Sequence, residues 1–72
     1  MTFHQRLRRL HAESGMTVTQ LARSLRISPN TVYLWETGKA TPRLDNLLEL
    51  SALFGCSLDY LAGLTDERTP PV

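Results

Sequence analysis

The stretch Thr17-Val-Thr-Gln-Leu-Ala-Arg-Ser-Leu-Arg-Ile-Ser-Pro-Asn-Thr-Val-Tyr-Leu-Trp-Glu-Thr-Gly-Lys39 decides the fold. It holds two short helical patterns. Thr17 followed three residues later by Gln20 has the spacing at which two side chains reciprocally satisfy the orphan backbone donors of a helix start. Val18, Leu21, Ala22 and Leu25 follow at offsets of three, four and seven, so all four share one helical face. Ser28 then offers an N-cap, and Pro29 takes the first helical position, where its missing N–H removes no bond. This second helix turns Val32 and Trp35 inward and stops at Gly38, the residue best able to leave in a left-handed conformation. Only Arg26 and Ile27 lie between the two patterns and the second cap, too few for a flexible linker. The stretch therefore predicts a helix-turn-helix.

The flanks supply the rest of a small helical domain. Thr2 and Gln5 repeat the capping spacing, so a first helix is expected over about Phe3 to Ser14, with Phe3, Leu7 and Leu10 buried and Gly15 as its stop. A fourth helix is expected over about Leu44 to Phe54, ending at Gly55, with Thr41 as its cap and Pro42 at its first position. Its apolar residues Leu44, Leu47, Leu48, Leu50 and Phe54 cover more than one stripe, which predicts the central core helix. A short fifth helix is expected from Ser57 to Ala62, closed by Gly63, with Leu58 and Leu61 inward and Tyr60 and Leu64 outward. The fold class is thus all-α, a compact five-helix domain over residues 1–64. The polar, proline-containing tail at 65–72 is expected to be disordered.

Seventy-two residues make one domain whose core is small, which argues against a large catalytic cleft. The single Cys56 cannot form an internal disulfide, and its apolar neighbours Phe54 and Leu58 make it a small core filler. No apolar run approaches the ~20 residues that span a bilayer, and the N-terminus has no signal-peptide apolar core. A cytoplasmic location is the expectation. His4 and His11 stand roughly 10 Å apart along a helix axis, too far to grip one ion, so no metal is expected. Glu13, Ser14 and His11 are near in sequence, but an exposed helix offers no water-excluding pocket, so no enzymatic activity is expected.

The net charge of +1 hides an uneven distribution. Residues 1–43 carry Arg6, Arg8, Arg9, Arg23, Arg26, Lys39 and Arg43 against Glu13 and Glu36, a net +5. Residues 44–72 carry Arg68 against Asp45, Glu49, Asp59, Asp66 and Glu67, a net −4. Such a chain can present its N-terminal side to phosphates.

The ordered pattern Thr-x-x-x-Leu-Ala, Ile-Ser, Val-x-x-Trp-Glu-x-Gly-Lys and Pro42 resembles the Cro and lambda-repressor-like, or XRE-type, helix-turn-helix family over about residues 5 to 62. The resemblance implies a lambda-repressor-like DNA-binding domain with its helix-turn-helix at the second and third helices. It implies that Pro29, Asn30, Tyr33 and Leu34 touch bases in the major groove. Thr17, Val18, Thr19, Ser28, Thr31, Lys39, Thr41 and Arg43 fall at or beside its phosphate-contacting positions. It also implies a structural pair between His11 and Glu36, where the family usually has Arg and Glu; a solvated His11 is the competing reading. Family members usually bind as dimers to near-palindromic operators, and Tyr60, Leu61 and Leu64 are the dimer-contact candidates.

Two residues depart from the family pattern. Arg26 stands where a glycine is usual, and Val18 where a phosphate-contacting Gln is frequent. The function implied is a sequence-specific double-stranded DNA-binding regulator, a repressor, bacterial or phage-encoded, with no cofactor, membrane partner or small-molecule ligand. The exposed apolar character of Tyr33 and Leu34, with Val18, leaves an alternative: a protein-interaction module such as an antitoxin-like component.

Overall fold

A computed structural model describes residues 1–68, and five helices with no strand account for the regular structure among them. They are α1 (Phe3–Ser14), α2 (Val18–Leu25), α3 (Pro29–Glu36), α4 (Leu44–Phe54) and α5 (Leu58–Ala62). The two capping boxes form as the sequence predicts. Thr2 Oγ1 accepts from Gln5 N while Gln5 Oε1 accepts from Thr2 N, and Thr17 and Gln20 do the same at α2. Ser28 caps α3 through the Thr31 N–H, and Ser57 caps α5 through the Tyr60 N–H.

α4 starts differently from the expectation. Its N-cap is Arg43, in extended backbone and without a side-chain capping bond, and the helix begins at Leu44. Thr41 is therefore no cap. Pro42 is buried instead of opening the helix, and so anchors the loop that leads into it.

The core joins Leu7 and Leu10 of α1, Leu21, Ala22 and Leu25 of α2, Val32 and Trp35 of α3, Leu50 and Phe54 of α4, Cys56, and Tyr60 and Leu61 of α5. α1 packs against α3 and α5, α2 against α3 and α4, and α4 against α5. The expected central role of α4 is not what the packing gives. Only one of its faces is covered, and Leu44, Leu48 and Leu53 are exposed. Periodicity marks which residues are apolar, but the number of neighbouring helices decides how many of them are covered.

Tyr60 and Leu61 are likewise corrected as dimer contacts, because both are buried within the domain. Tyr60 faces Arg6, whose guanidinium lies 3.7 Å from the ring centroid. Leu58, expected inside, is exposed, and Leu64 is 79% exposed.

Beyond Gly63 the chain turns back over the helices. Thr65 O and Asp66 Oδ1 accept from Arg6 Nη2 at 3.3 and 3.2 Å. Arg68 donates to Phe54 O and approaches Glu13, and its own carbonyl accepts from the Ser57 N–H. Residues 65–68, the first part of the predicted tail, thus bridge α1, the end of α4 and the start of α5. Residues 69–72 lie outside the described residues. Gly63, at φ 84°, leaves no room for a side chain, since a Cβ there would collide with the Met1 carbonyl oxygen.

Candidate nucleic-acid interface

α3 has one face fixed in the core and the other open. Val32 and Trp35 are buried, and residues one to three positions away on a 3.6-residue helix must then point sideways or outward. Pro29 and Asn30 are exposed, Tyr33 is 52% exposed and Leu34 is half-buried. The Asn30 amide has no hydrogen-bond partner among the described residues, so its donor and acceptor are both available. Lys39 Nζ lies 5.9 Å from the centroid of the Tyr33 ring and adds a positive charge beside it.

Two contacts fix the angle at which α3 is presented. The first is between His11 and Glu36: Nδ1 lies 2.7 Å from Glu36 Oε2, while Nε2 lies 3.1 Å from Met16 O. Both ring nitrogens lie within hydrogen-bond distance of an acceptor, so either tautomer of the ring donates to one of them. One side chain thereby ties α1 to the end of α3 and to the residue that leads into α2. The Ser14 hydroxyl donates to the backbone carbonyl of His11 and not to its ring, so the Glu13, Ser14 and His11 neighbourhood does not assemble a nucleophile and base.

The second contact is the turn between α2 and α3. Arg26 adopts φ 57° and ψ 44°, the left-handed conformation for which glycine is suited. Its N–H reaches the carbonyls at the end of α2, and Ile27 N donates to Ala22 O, so the tight turn closes despite the larger residue. Arg26 Nη2 also lies 3.5 Å from Glu49 Oε2 at the surface.

The residues expected to contact phosphates lie at the start of α2, at the start of α3 and in the loop after α3. Thr17 is occupied in its cap, Val18 and Thr19 are exposed, and the Ser28 and Thr31 hydroxyls lie 2.9 Å apart in a mutual hydrogen bond. Lys39, Thr41 and Arg43 are exposed in the loop after α3. That loop starts from Leu34 O, which accepts from both Lys39 N and Ala40 N. It passes Gly38 at φ 78°, where a Cβ would press on the His4 ring at 3.3 Å.

The cations split into two groups. Arg8, Arg23 and Lys39 make no ion pair among the described residues, whereas Arg43 lies only 3.8 Å from Asp45 at the surface. Arg6 is lost to the interface: at 2% exposure it belongs to the core, so the basic surface is smaller by one than the charge count suggests. Nothing in the spacing of Arg6 signals this, because its partners are Tyr60 and the segment at 65–66.

Comparison with known proteins agrees with this geometry. The helix-turn-helix family model matches residues 6–61. The chain is 38% identical over 68 residues to the HTH-type transcriptional regulator YobD of Bacillus subtilis, an alignment covering 94% of this chain and 61% of YobD. Among solved structures, a transcriptional regulator from Listeria innocua superposes with a TM-score of 0.84 at 32% identity, covering 92% of this chain and 62% of that one. The P22 c2 repressor protein in complex with synthetic operator 9T superposes with a TM-score of 0.79 at 28% identity, covering 85% of this chain and 92% of the chain in that structure.

Proposed function

This chain belongs to the helix-turn-helix family, and from that premise we propose that it is a sequence-specific double-stranded DNA-binding transcriptional regulator, a repressor, that reads the major groove with α3. The observation that carries the reading is the two-sided character of α3. Val32 and Trp35 lock one face into the core, and Pro29, Asn30, Tyr33 and Leu34 stand free on the other. A rigidly held helix with an open face is what groove insertion needs. The likeness to a repressor in complex with an operator supports the same reading.

Asn30 pairs with an adenine edge, Tyr33 gives one hydrogen bond or covers a thymine methyl, and Leu34 makes apolar contact only. Lys39, Thr41 and Arg43 from the loop, with the start of α2 at Thr17, Val18 and Thr19 and the Ser28 and Thr31 hydroxyls, fix the register on the backbone. So few phosphate contacts bind weakly at physiological salt, which supports action as a homodimer on half-sites about one helical turn, ~34 Å, apart. The chain spans 61% of the length of YobD.

Selection from random duplex DNA tests the reading. Wild-type protein should enrich a two-fold symmetric motif, and an Asn30→Ala, Tyr33→Ala variant that remains folded should lose it. No enrichment by folded wild type would overturn it.

A further inference from the structure

Two neighbouring arginines of α1 face surfaces of opposite character. Arg8 stands four residues after His4 and three before His11, so the three share one stripe of the helix. Both ends of that stripe are pinned to the reader. The His4 ring lies against Gly38, where an added Cβ would come within 3.3 Å of it, and His11 Nδ1 lies 2.7 Å from Glu36 Oε2 at the end of α3. Arg8 is exposed between these two contacts, at the edge of the seam where α1 packs on α3. It makes no ion pair among the described residues. Glu36 is the only acid between residues 14 and 44, and His11 already engages it. The positive charge on this rim is therefore uncompensated, and Lys39, directly after Gly38, adds to it.

Arg9 is turned about 100° further round the helix. Its Nε lies 3.4 Å from Glu13 Oε2, and Glu13 also lies 3.5 Å from Arg68 Nη1. That side of α1 meets the C-terminal segment, and its cations have carboxylate partners within the chain.

We infer that Arg8 is a DNA-backbone contact supplied by α1, a helix outside the helix-turn-helix, and that it binds a phosphate of the duplex beside the groove that α3 enters. A guanidinium presents a planar fork that takes two phosphate oxygens at once and stays charged at any working pH. Lacking a carboxylate partner, Arg8 gives up no ion pair on binding, and the counterions it displaces from the duplex favour the contact. The consequence is mechanical as well as electrostatic. The helix that sets the angle of α3 through His11 would itself rest on the backbone, so α3 is oriented against the DNA and not only against its own core. The inference rests on the DNA-binding reading and adds one element to that interface.

The test uses the full chain and the duplex that wild type selects, with affinity read by fluorescence anisotropy at four salt concentrations. Arg8→Gln should bind about tenfold more weakly per copy at ~0.1 M salt and lower the slope of log K against log salt by about 1 per copy. Arg8→Lys should keep the wild-type slope, because the charge remains. Arg9→Gln removes the same net charge and should change neither quantity. On duplexes carrying single neutral methylphosphonates, wild type should lose affinity at one position per half-site to which Arg8→Gln is indifferent. Circular dichroism checks that each variant keeps its helices, which the exposure of both side chains favours. An Arg8→Gln slope equal to that of wild type, or an equal fall for Arg9→Gln, would overturn the inference and leave the reading of α3 standing. Folded wild type that selects no duplex would overturn both.

Discussion

The Arg6 guanidinium lies over the Tyr60 ring, its carbon 3.7 Å from the centroid, and this contact joins the first turns of α1 to α5. Arg6 is almost wholly buried, its Nε has no partner among the described residues, and its ion-pair partner Asp66 is fully in solvent. An exposed carboxylate adds little to such a pair, so the packing of the side chain and its stacking on the ring are the larger contributions. Arg6→Ala should therefore lower stability by about 2–4 kcal/mol, as expected for a buried large-to-small change. Asp66→Ala should leave the urea midpoint unchanged. Equal losses from the two variants would show that the ion pair, not the stack, holds this corner.

Arg26 is a residue whose replacement should strengthen the domain. A side chain at φ 57° is strained by about 1 kcal/mol relative to glycine. Its surface contact to Glu49 offsets little of that. Arg26→Gly should raise stability by about 0.5–1 kcal/mol, which for a domain of this size is a few degrees in Tm. Arg26→Val should lower it, since a β-branched residue fits the left-handed region worst. A thermal melt in which the glycine variant is the less stable would mean that the Arg26 side chain does more than its surface position suggests.

The His11 and Glu36 contact should matter to both folding and DNA binding. At 2.7 Å and half-buried, it is a charge-assisted bond between α1 and the end of the reader. Removing either partner leaves the other facing a less polar surrounding, so His11→Ala and Glu36→Ala should each cost about 1–3 kcal/mol. The double variant should cost less than the sum, and a double-mutant cycle by urea denaturation would measure the coupling. Fully additive losses would remove this pair as the link between the two helices.

Cys56 gives the domain a defined response to alkali. Burial pushes its thiol up from the usual range, opposed in part by the Arg68 and Arg6 cations. The folded state thus holds the proton longer than the unfolded chain, whose thiol ionises near ~8.5. The sign follows: stability is fully present below that value and declines as pH rises through it toward the raised folded value. Urea midpoints measured from pH 7 to 10 should fall for wild type, and the Cys56-dependent part of that fall should vanish in Cys56→Ala. Alkylation by iodoacetamide at pH 8.5 should be slower in folded protein than in urea. Equal rates would mean that the thiol is open to solvent.

Local signals made most of this fold legible. Thr2 with Gln5, Thr17 with Gln20, Ser28 with Pro29, and the glycines at 15 and 55 mark helix ends through bonds made within a few residues, and the structure keeps each end. The turn at Arg26 is less so: the glycine usual at this position in the family implies a left-handed residue, an arginine there could equally force a different turn, and the structure takes the left-handed one. Features set by distant partners were not legible. Arg6 looks like a surface cation until Tyr60 and residues 65–66 arrive to bury it. Leu58 and Tyr60 exchange their expected places because a five-residue helix gives periodicity almost nothing to work with. The open face of α4 depends on how many helices reach it. For the interface, the sequence indicates which side chains α3 can offer, and the His11 and Glu36 pair shows how firmly it offers them.

The roles assigned around α3 predict different signatures in DNA binding. A phosphate contact contributes the same free energy on any sequence and releases counterions, so its loss weakens binding uniformly and flattens the dependence on salt. Lys39→Ala should lower affinity for all duplexes alike and reduce the slope of log K against log salt by about 1 per copy. A base contact carries sequence information and little salt dependence. Asn30→Ala should cost about 1–3 kcal/mol on the preferred site, leave the slope unchanged, and relax selection at one position of each half-site. Tyr33→Ala should combine the two, because Tyr33 stands on the reading face and its ring lies beside the Lys39 ammonium. Fluorescence anisotropy on the selected duplex and on a scrambled one, at four salt concentrations, separates the cases. If Asn30→Ala weakens both duplexes equally and Lys39→Ala alters the site preference, the assignment of reading to α3 and positioning to the loop is reversed.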